Sequence, residues 1–379
     1  MIGHRPTDQA SKKRIAVVLQ DLAGGGAERV MLNLAKGFAA AGQEVQLVLV
    51  RHTGAYLSRM PSGVQLVTLN SGRTIKSIGP LARYLRSQQL DAVISALPHV
   101  NIVAVLARAL SNRQTTLIVT EHIHVSIDRH RVRERLVRAA YRAIPFVYRL
   151  ADHIVAVSNG AADDLARVLR VNRSRVQMIY NPVDIDEIVA SSGEKPDHPW
   201  FVNGKHKILL GMGRLTEQKD FPTLIHAFKI LRREGDWKLI ILGEGPDRER
   251  LTSLVEDAGL AEHVDLAGFR HDSYRFMAHA TVFALSSLWE ALPTVLIEAL
   301  ACGVPIVATD CPSGPREILD SGRYGTLVPV GNASALAAEI GVQASRPCNR
   351  SANLNRAHAF HTQRAVEHYL RLISSAAKN

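Results

Sequence analysis

Residues 290–309 read EALPTVLIEALACGVPIVAT and combine a helix pattern with a strand pattern. Pro293 suits the first turn of a helix. Pro305 opens a β-branched run, 305–309, that is typical of a buried strand, and a similar run lies upstream at 281–285. Strand, helix and strand in this order predict one βαβ unit of a parallel sheet.

The same alternation continues outward in both directions. The predicted strands are residues 14–19, 44–50, 64–69, 91–95, 116–120, 153–158, 175–180, 207–211, 237–242, 263–266, 281–285, 305–309 and 326–328. We expect an α/β fold of two Rossmann-like, doubly wound domains with a cleft between them, in which ligands lie beyond the carboxyl ends of the strands. The predicted boundaries are a first domain at 1–185, a polar linker at 186–206, a second domain at 207–352, and a C-terminal segment at 353–379, helical over about 353–374, that packs back on the first domain.

The composition excludes several classes of protein. Three cysteines at Cys302, Cys311 and Cys348 support neither a disulfide framework nor a zinc site, and they fit a reducing cytosol. No apolar run reaches the 18 or so residues of a membrane-spanning helix. Residues 1–190 hold 25 basic and 14 acidic residues, whereas 191–379 hold 21 of each. The whole net charge of +11 therefore lies in the first half, which predicts an anionic partner there.

A glycine-rich loop follows the first predicted strand. Gly24, Gly25 and Gly26 open a helix, so that the backbone can approach an anion at the helix N-terminus. The spacing is not the G-x-G-x-x-G of a dinucleotide site, and the second strand ends in Arg51 and His52 instead of a ribose-binding acid. An ordinary flexible turn is the alternative.

Two further loops at strand ends carry candidate chemistry. His122 follows strand 116–120, where an imidazole can hydrogen-bond to a substrate hydroxyl. Arg214 and Lys219 lie five residues apart after strand 207–211, and both can reach one diphosphate. A satisfied core histidine and an ordinary charged loop are the alternatives.

The strongest signal is a pair of glutamates in an apolar segment. Glu290 precedes the helix and Glu298 lies more than a turn inside it, where a carboxylate is difficult to explain as core. The amides of Thr294, Val295 and Leu296 are predicted to face an anion at the helix N-terminus. Glu298 is predicted to reach a ribose diol.

Residues 128–150 read as a basic amphipathic helix that Pro145 should kink or end. At 100° per residue, four arginines fall within a 60° stripe beside an apolar face. They are Arg131, Arg135, Arg138 and Arg142. Such a stripe suits an anionic membrane surface or a polyphosphate ligand, and a solvated helix face is the alternative.

Taken together, these motifs resemble glycosyltransferase family 4, the retaining nucleotide-sugar transferases of GT-B fold. The glycine-rich loop, Arg214 with Lys219, and E-x(7)-E at Glu290 and Glu298 carry the resemblance, which covers nearly the whole chain. Residues 311–318, CPSGPREI, look most like the branch that transfers hexoses or N-acetylhexosamines in bacterial surface-glycan assembly. In the family's N-G-V-D turn, Pro182 replaces the usual glycine.

The resemblance implies a role for each candidate. Glu290, His122, Arg214 and Lys219 would act at the reacting sugar and diphosphate, and Arg131, Arg135, Arg138 and Arg142 at the acceptor or membrane. The nucleotide-sugar would be bound by Gly25, Gly26, Arg214, Lys219, Phe269, Thr294, Val295, Leu296 and Glu298. The implied enzyme takes a UDP-sugar, needs no metal, and acts on a lipid-linked or glycan acceptor at the cytosolic face of an anionic membrane.

Two other classes remain open from the residues. Another GT-B nucleotide-sugar enzyme, such as an epimerase, would share the nucleotide-binding half but would have no use for a basic helix. A non-enzymatic nucleic-acid-binding protein would explain the charge. It would not explain two glutamates in a phosphate-binding site, and no aromatic residues interleave the arginine stripe, so we expect no nucleic-acid partner.

Overall fold

A computed structural model shows that the chain folds into two sheets, each flanked by helices. The residues that the structure describes are 12–112, 114–131, 135–202, 204–346 and 348–376. The fold divides into two compact units. The first unit comprises residues 1–120, 133–154 and 366–379, and the second comprises 121–132 and 155–365.

The first sheet has seven strands in the order β3-β2-β1-β4-β5-β6-β7. Strands β1 to β5 pair in parallel. The central strand β4 is buried at all five residues, which explains why Ser95 is the one polar residue in its sequence. The strands are β1 (Arg14–Leu19), β2 (Glu44–Leu49), β3 (Val64–Thr68), β4 (Ala92–Ala96), β5 (Thr116–Glu121), β6 (His153–Ala156) and β7 (Val176–Met178).

The second sheet has six strands in the order β10-β9-β8-β11-β12-β13, and every neighbouring pair is parallel. The register places Leu209 of the central strand beside Leu239 on one side and Val282 on the other. The strands are β8 (Lys207–Met212), β9 (Trp237–Leu242), β10 (Val264–Gly268), β11 (Val282–Leu285), β12 (Ile306–Thr309) and β13 (Thr326–Val328).

Helices connect successive strands, as is usual for parallel pairing, except that a 3₁₀ turn over Ala55–Arg59 joins β2 to β3. In the first half they are α1 (Gly26–Ala40), α2 (Ile78–Ser87), α3 (Pro98–Ser111), α4 (Val125–Arg131), α5 (Arg135–Val147), α6 (Asn159–Leu169) and α7 (Ile185–Ser191). In the second half they are α8 (Pro199–Val202), α9 (Phe221–Leu231), α10 (Arg248–Asp257), α11 (Ser273–His279), α12 (Thr294–Cys302), α13 (Gly314–Ile318), α14 (Ala333–Ser345), α15 (Arg350–Ala357) and α16 (Thr362–Ala376).

All thirteen predicted strands are present, with ends that differ by at most two residues. The single terminal helix at about 353–374 is wrong, because two helices, α15 and α16, occupy this segment. Between them the chain turns to an extended conformation at His361, which bridges to Val183, and the neighbouring amides bond to main-chain atoms there. In the first unit, Tyr369 of α16 packs edge-to-face on Phe38 at 6.2 Å between ring centroids.

The predicted basic helix at 128–150 covers parts of the chain that the structure describes as α4, α5 and a 3₁₀ turn. Helix α4 ends at Arg131 and α5 begins at Arg135, with residues 132–134 outside the described part of the chain. Pro145 lies inside α5, which continues to Val147 before a 3₁₀ turn over Tyr148–Leu150.

The core of the second unit explains how its loops are positioned. Phe228 of α9 and Trp237 of β9 are almost completely buried in one cluster against the sheet. Because β8, β11 and β12 are parallel neighbours, their carboxyl ends meet at one edge of this sheet. The loops that leave these three strands carry most of the predicted site.

Candidate active site

The loop after β11 holds Glu290, whose carboxylate is surrounded by polar groups. The Lys219 ammonium forms an ion pair with Glu290 Oε1, and the two side chains are only 16% and 7% exposed. Ser287 Oγ donates to the same oxygen at 2.8 Å, and Gln218 Nε2 donates to Oε2 at 3.4 Å. Glu290 is therefore a buried carboxylate with its charge compensated inside the protein.

Lys219 is held in place by the loop after β8. It ends a 3₁₀ turn, Glu217–Lys219, and Asp220 follows at φ 45° as the residue before α9. Gly213 packs directly on the lysine stem, since a Cβ there would lie 3.2 Å from Lys219 Cδ. Arg214 lies on the same loop and is exposed. The two predicted phosphate-binding cations thus share one loop with very different degrees of burial.

Hydrogen bonds to main-chain atoms fix residues 286–293, which carry Glu290 and which we name the Glu290 turn. Leu288 N–H donates to the Gln218 carbonyl at 2.8 Å, and Glu290 N–H donates to the Pro312 carbonyl at 3.3 Å. Gln218 Nε2 also donates to the Trp289 carbonyl at 2.9 Å. The turn is thereby attached to the loops after β8 and β12.

Helix α12 begins one residue later than the sequence suggests, and this corrects one predicted donor. Pro293 precedes the helix, and Leu296 N–H donates back to the Pro293 carbonyl at 3.0 Å. The Leu296 amide is therefore occupied within the chain. Thr294 and Val295 form the first turn, as expected. Glu298 lies one turn further in, completely buried among apolar neighbours of the same helix.

His122 reaches the same turn through Asn181. His122 Nδ1 lies 3.1 Å from Asn181 Oδ1, and Asn181 Nδ2 donates to the Leu292 carbonyl at 3.4 Å. Burial lowers the pKa of His122 to about 4, although the Asn181 hydrogen bond partly opposes this shift. At neutral pH the imidazole is uncharged, which suits a hydrogen-bonding role better than that of a cation.

Helix α4 contributes contacts that the sequence did not predict. The Arg131 guanidinium lies 4.0 Å above the Trp289 ring and 2.5 Å from Glu217 Oε1. Burial raises the pKa of Asp128, although a hydrogen bond to Trp289 and nearby positive charge oppose this shift. Arg131, the first member of the predicted arginine stripe, therefore lies beside the Glu290 turn.

The remaining stripe residues lie in the first unit. Arg138 and Arg142 of α5 are exposed, whereas the side chain of Arg135 lies outside the described part. Phe146 is 73% exposed on the same helix, and Leu150 in the following turn is 57% exposed. This surface, which we name the α5 face, combines positive charge with large apolar side chains.

The glycine-rich loop also belongs to the first unit. Helix α1 begins at Gly26, directly after Gly25. Asp21, which is buried, accepts the Ala23 N–H at 3.2 Å and pairs with Arg51 at 2.5 Å. The carboxylate thus anchors the entry to the loop, a role that sequence reasoning missed.

Phe269 and Cys311 are two further residues of the second unit with distinct surroundings. Phe269 follows β10, is 46% exposed, and contacts the His271 ring edge-on at 5.0 Å. Cys311 is buried near Glu290, and burial together with that negative charge raises the pKa of its thiol to about 12. Among the described residues, no group of three or more histidine, cysteine or acidic side chains is placed to hold a metal ion. Nor is any described helix long and apolar enough to cross a membrane.

Sequence reasoning missed residues that act through the main chain or across long separations. Gln218 lies between the two cations of its loop and could have been noticed from that position. Ser287 and Trp289 adjoin Glu290 but belong to no recognisable motif. Asn181 opens the turn that contains Pro182, and nothing in the local sequence indicates that it contacts His122, 59 residues away.

Comparison with known proteins assigns both halves of the chain to glycosyltransferase families. The family model described as Glycosyltransferase Family 4 matches residues 24–187, and the model described as Glycosyl transferases group 1 matches residues 194–347. The two matches cover most of the chain, one in each half, and join near the predicted linker.

Two curated relatives are glycosyltransferases, and a solved structure with a similar fold contains UDP and glucose. An N-acetylgalactosamine-N,N'-diacetylbacillosaminyl-diphospho-undecaprenol 4-alpha-N-acetylgalactosaminyltransferase of Campylobacter jejuni is 29% identical over 86% of this chain and 88% of its own. The Rhizobium meliloti lipopolysaccharide core biosynthesis glycosyltransferase LpsE is 31% identical over 60% of this chain and 66% of its own. The Anabaena protein HepE, solved with UDP and glucose, superposes with a TM-score of 0.78 at 20% identity over 96% of this chain and all of its own. The chain is therefore a glycosyltransferase of GT-B fold and belongs to glycosyltransferase family 4.

Proposed function

We propose that this enzyme transfers a hexose or N-acetylhexosamine, with retention of configuration, from a UDP-sugar to a lipid-linked or glycan acceptor in bacterial surface-glycan assembly. The observation that carries the proposal is the placement of Lys219 and Glu290 on neighbouring loops of one sheet edge, with Glu298 in helix α12 directly after the second loop. Similarity to the Campylobacter enzyme, whose name specifies a diphospho-undecaprenol acceptor, supports the acceptor class.

The two cations are proposed to receive the negative charge of the leaving diphosphate without a metal ion. Exposed Arg214 can offer a planar pair of donors to a phosphate, and Lys219 adds a point charge. Their stabilisation is greatest in the transition state, when the sugar–phosphate bond breaks and the diphosphate gains charge. Since Lys219 already contacts Glu290, phosphate and sugar would be bound side by side.

The two glutamates are proposed to contact different parts of the donor. Glu298 would accept hydrogen bonds from the ribose diol, which supplies donors to a buried carboxylate. Glu290 and His122 would contact hydroxyl groups of the sugar, with the uncharged imidazole as a hydrogen-bonding group. The proton of the acceptor hydroxyl is proposed to leave with a phosphate oxygen of the donor.

Calorimetric titration with UDP tests this division. Glu298→Gln should weaken UDP binding by about 10-fold or more, the scale of a hydrogen bond to a charged group. Glu290→Gln makes the same chemical change outside the proposed nucleotide contacts, so UDP affinity should be retained while the transfer rate falls. Equal loss of UDP affinity in both variants contradicts the assignment.

A donor panel distinguishes the transferase from its nearest alternative. Wild-type protein would be incubated with UDP-, GDP- and ADP-sugars, and the release of free sugar and nucleotide would be followed. A transferase slowly hydrolyses its correct donor, with the stereochemistry of the anomeric carbon retained. Epimerised sugar as the product would instead favour the epimerase hypothesis. Release of sugar only from GDP- or ADP-sugars would show that the nucleotide base of the donor is not uracil.

The α5 face is proposed to bind an anionic bilayer. Arg138, Arg142 and Phe146 are spaced four residues apart on one helix, which places them within about 80° of one another. Exposed arginines attract anionic headgroups, while Phe146 and Leu150 can enter the apolar layer. This position would bring the enzyme to a lipid-linked acceptor.

Vesicle co-sedimentation separates the contribution of the arginine charges from that of the apolar side chains. The double change Arg138→Gln/Arg142→Gln should weaken binding to anionic vesicles by about 30-fold, given about 1 kcal/mol for each arginine. The loss should shrink at high salt. Phe146→Ser should weaken binding at every salt concentration. The matched control is Arg232→Gln/Arg233→Gln, which removes the same charge from an exposed site in the second unit. If the control loses as much affinity, net charge rather than the α5 face binds the membrane.

A further inference from the structure

Ser313 has a backbone conformation that side chains rarely adopt. Its φ is 80° and its ψ is −110°, immediately before helix α13. Such a φ favours glycine, and a residue with a Cβ is strained there unless its surroundings hold it. Strain of this kind points to a use for the side chain, which in this case is a half-buried hydroxyl.

The Ser313 hydroxyl is the end of a chain of three polar side chains in the second unit. Ser313 Oγ lies 2.7 Å from His124 Nε2, and His124 Nδ1 lies 3.2 Å from Asp164 Oδ2. His124 is 7% exposed and Asp164 is 1% exposed. Asp164 also accepts the Ser126 N–H at 2.9 Å. Asp164 therefore attaches both the histidine and the start of α4 to helix α6.

The charge state of Asp164 sets the direction of the hydrogen bonds. Burial raises the pKa of Asp164, but interactions with His124 and Ser126 outweigh burial and lower it to about 2. The imidazole tautomer with its hydrogen on Nδ1 would face the Asp164 carboxylate and present a lone pair on Nε2. In that tautomer the Ser313 hydroxyl would donate to Nε2, and Asp164 would set its orientation through the imidazole.

Ser313 lies directly against the turn that carries Glu290. The Glu290 N–H donates to the carbonyl of Pro312, the residue before Ser313. On the other side, a Cβ on Gly314 would lie 2.3 Å from Pro293 Cδ. Residues 312–314 therefore contact the turn at Glu290 and at Pro293, and a shift of Ser313 would be transmitted to it.

Resting on the transfer reaction proposed above, we infer that Asp164, His124 and Ser313 are positioning residues that hold the Glu290 turn in the geometry needed for sugar transfer. They act through the main chain of residues 312–314 and do not contact the nucleotide. Their loss should lower the rate of transfer while leaving the affinity for UDP unchanged. A residue needed only for folding would show no such separation.

Two substitutions at one position separate strain from positioning. Ser313→Ala removes the hydroxyl and keeps the strained φ, whereas Ser313→Gly removes both. We expect Ser313→Gly to melt at or above the temperature of the wild-type protein and Ser313→Ala to melt below it. Both should lower kcat about tenfold, the equivalent of one hydrogen bond, with KM for the donor and Kd for UDP unchanged.

A double change tests whether the residues act as one chain. His124→Gln should lower kcat by a similar factor, and His124→Gln/Ser313→Gly should be no slower than either single variant. A kcat of Ser313→Gly equal to that of the wild-type protein would overturn the inference, because the hydroxyl would then have no role. Multiplicative losses in the double variant would also overturn it.

Acid, imidazole and hydroxyl in this order also occur in serine hydrolases. Covalent labelling of Ser313 by a fluorophosphonate would overturn a positioning role in favour of a nucleophilic one, and we expect no label. A separate result would contradict the proposed transfer reaction itself: wild-type protein that neither binds UDP nor releases sugar from any donor. Wild-type activity with unaffected variants refutes only the inference about these three residues.

Discussion

Removing the Lys219 side chain is expected to destabilise the second unit as well as impair catalysis. Lys219→Met leaves the Glu290 carboxylate buried without its cation, and loss of one partner of a buried pair costs about 3–5 kcal/mol. Ser287 and Gln218 still donate to the carboxylate. We therefore expect the lower end of the range, a loss of about 3 kcal/mol in the free energy of unfolding.

Removing the charge of Glu290 as well should restore most of this stability. In Lys219→Met/Glu290→Gln the amide oxygen can still accept from Ser287, and no isolated charge remains. We expect the double variant to recover about 2 kcal/mol of the loss. Lys229→Met on α9 is the matched control, since Lys229 is exposed and its loss should change stability by less than about 0.5 kcal/mol.

Urea denaturation followed by tryptophan fluorescence is the appropriate assay. All three tryptophans, Trp200, Trp237 and Trp289, lie in the second unit, so the signal reports the unit that contains the pair. A loss below about 1 kcal/mol in Lys219→Met, or a double variant less stable than the single one, would refute the argument that Lys219 compensates a buried charge.

Two other predictions follow from charges in the second unit. Arg214→Ala should lower turnover by about 100-fold with an unchanged melting temperature, since the residue is exposed and its proposed partner is the leaving diphosphate. Single-turnover kinetics measure the rate, and a rate within about threefold of wild type argues against the proposed role. Asp164→Asn should cost about 2 kcal/mol at pH 7, because the pKa of Asp164 is lowered to about 2 from its usual value near 4. The stabilisation is complete above pH 4 and is lost as pH falls toward 2, so urea titrations of the two proteins should converge over that interval, and a pH-independent difference contradicts the assignment.

The strands were predictable because their environment is uniform. A parallel strand that is covered on both faces needs apolar side chains at nearly every position, as in β9 (Trp237–Leu242), and this requirement is visible in the sequence itself. The end of a helix depends on single hydrogen bonds and is less visible. Periodicity could not show that Leu296 N–H bonds to Pro293, or that the chain turns at His361 to meet Val183.

The site was predicted as separate residues and not as an arrangement. Glu290 and Lys219 were identified one by one from their positions after strands, but 71 residues separate them, and no local pattern indicates that they form a pair. His124 and Ser313 are 189 residues apart. Helical periodicity places Arg131 on one stripe with Arg138 and Arg142, but it does not show that the Arg131 guanidinium contacts Trp289.

The burial of two cysteines makes this chain convenient for fluorescence work. Cys302 and Cys311 are buried, and the pKa of each thiol is raised to about 12, so both remain protonated and inaccessible at neutral pH. Cys348 is the most exposed of the three. A maleimide dye should therefore attach mainly at Cys348 in the unmodified protein, between α14 and α15 of the second unit, and donor binding could be followed optically without a cysteine-free background.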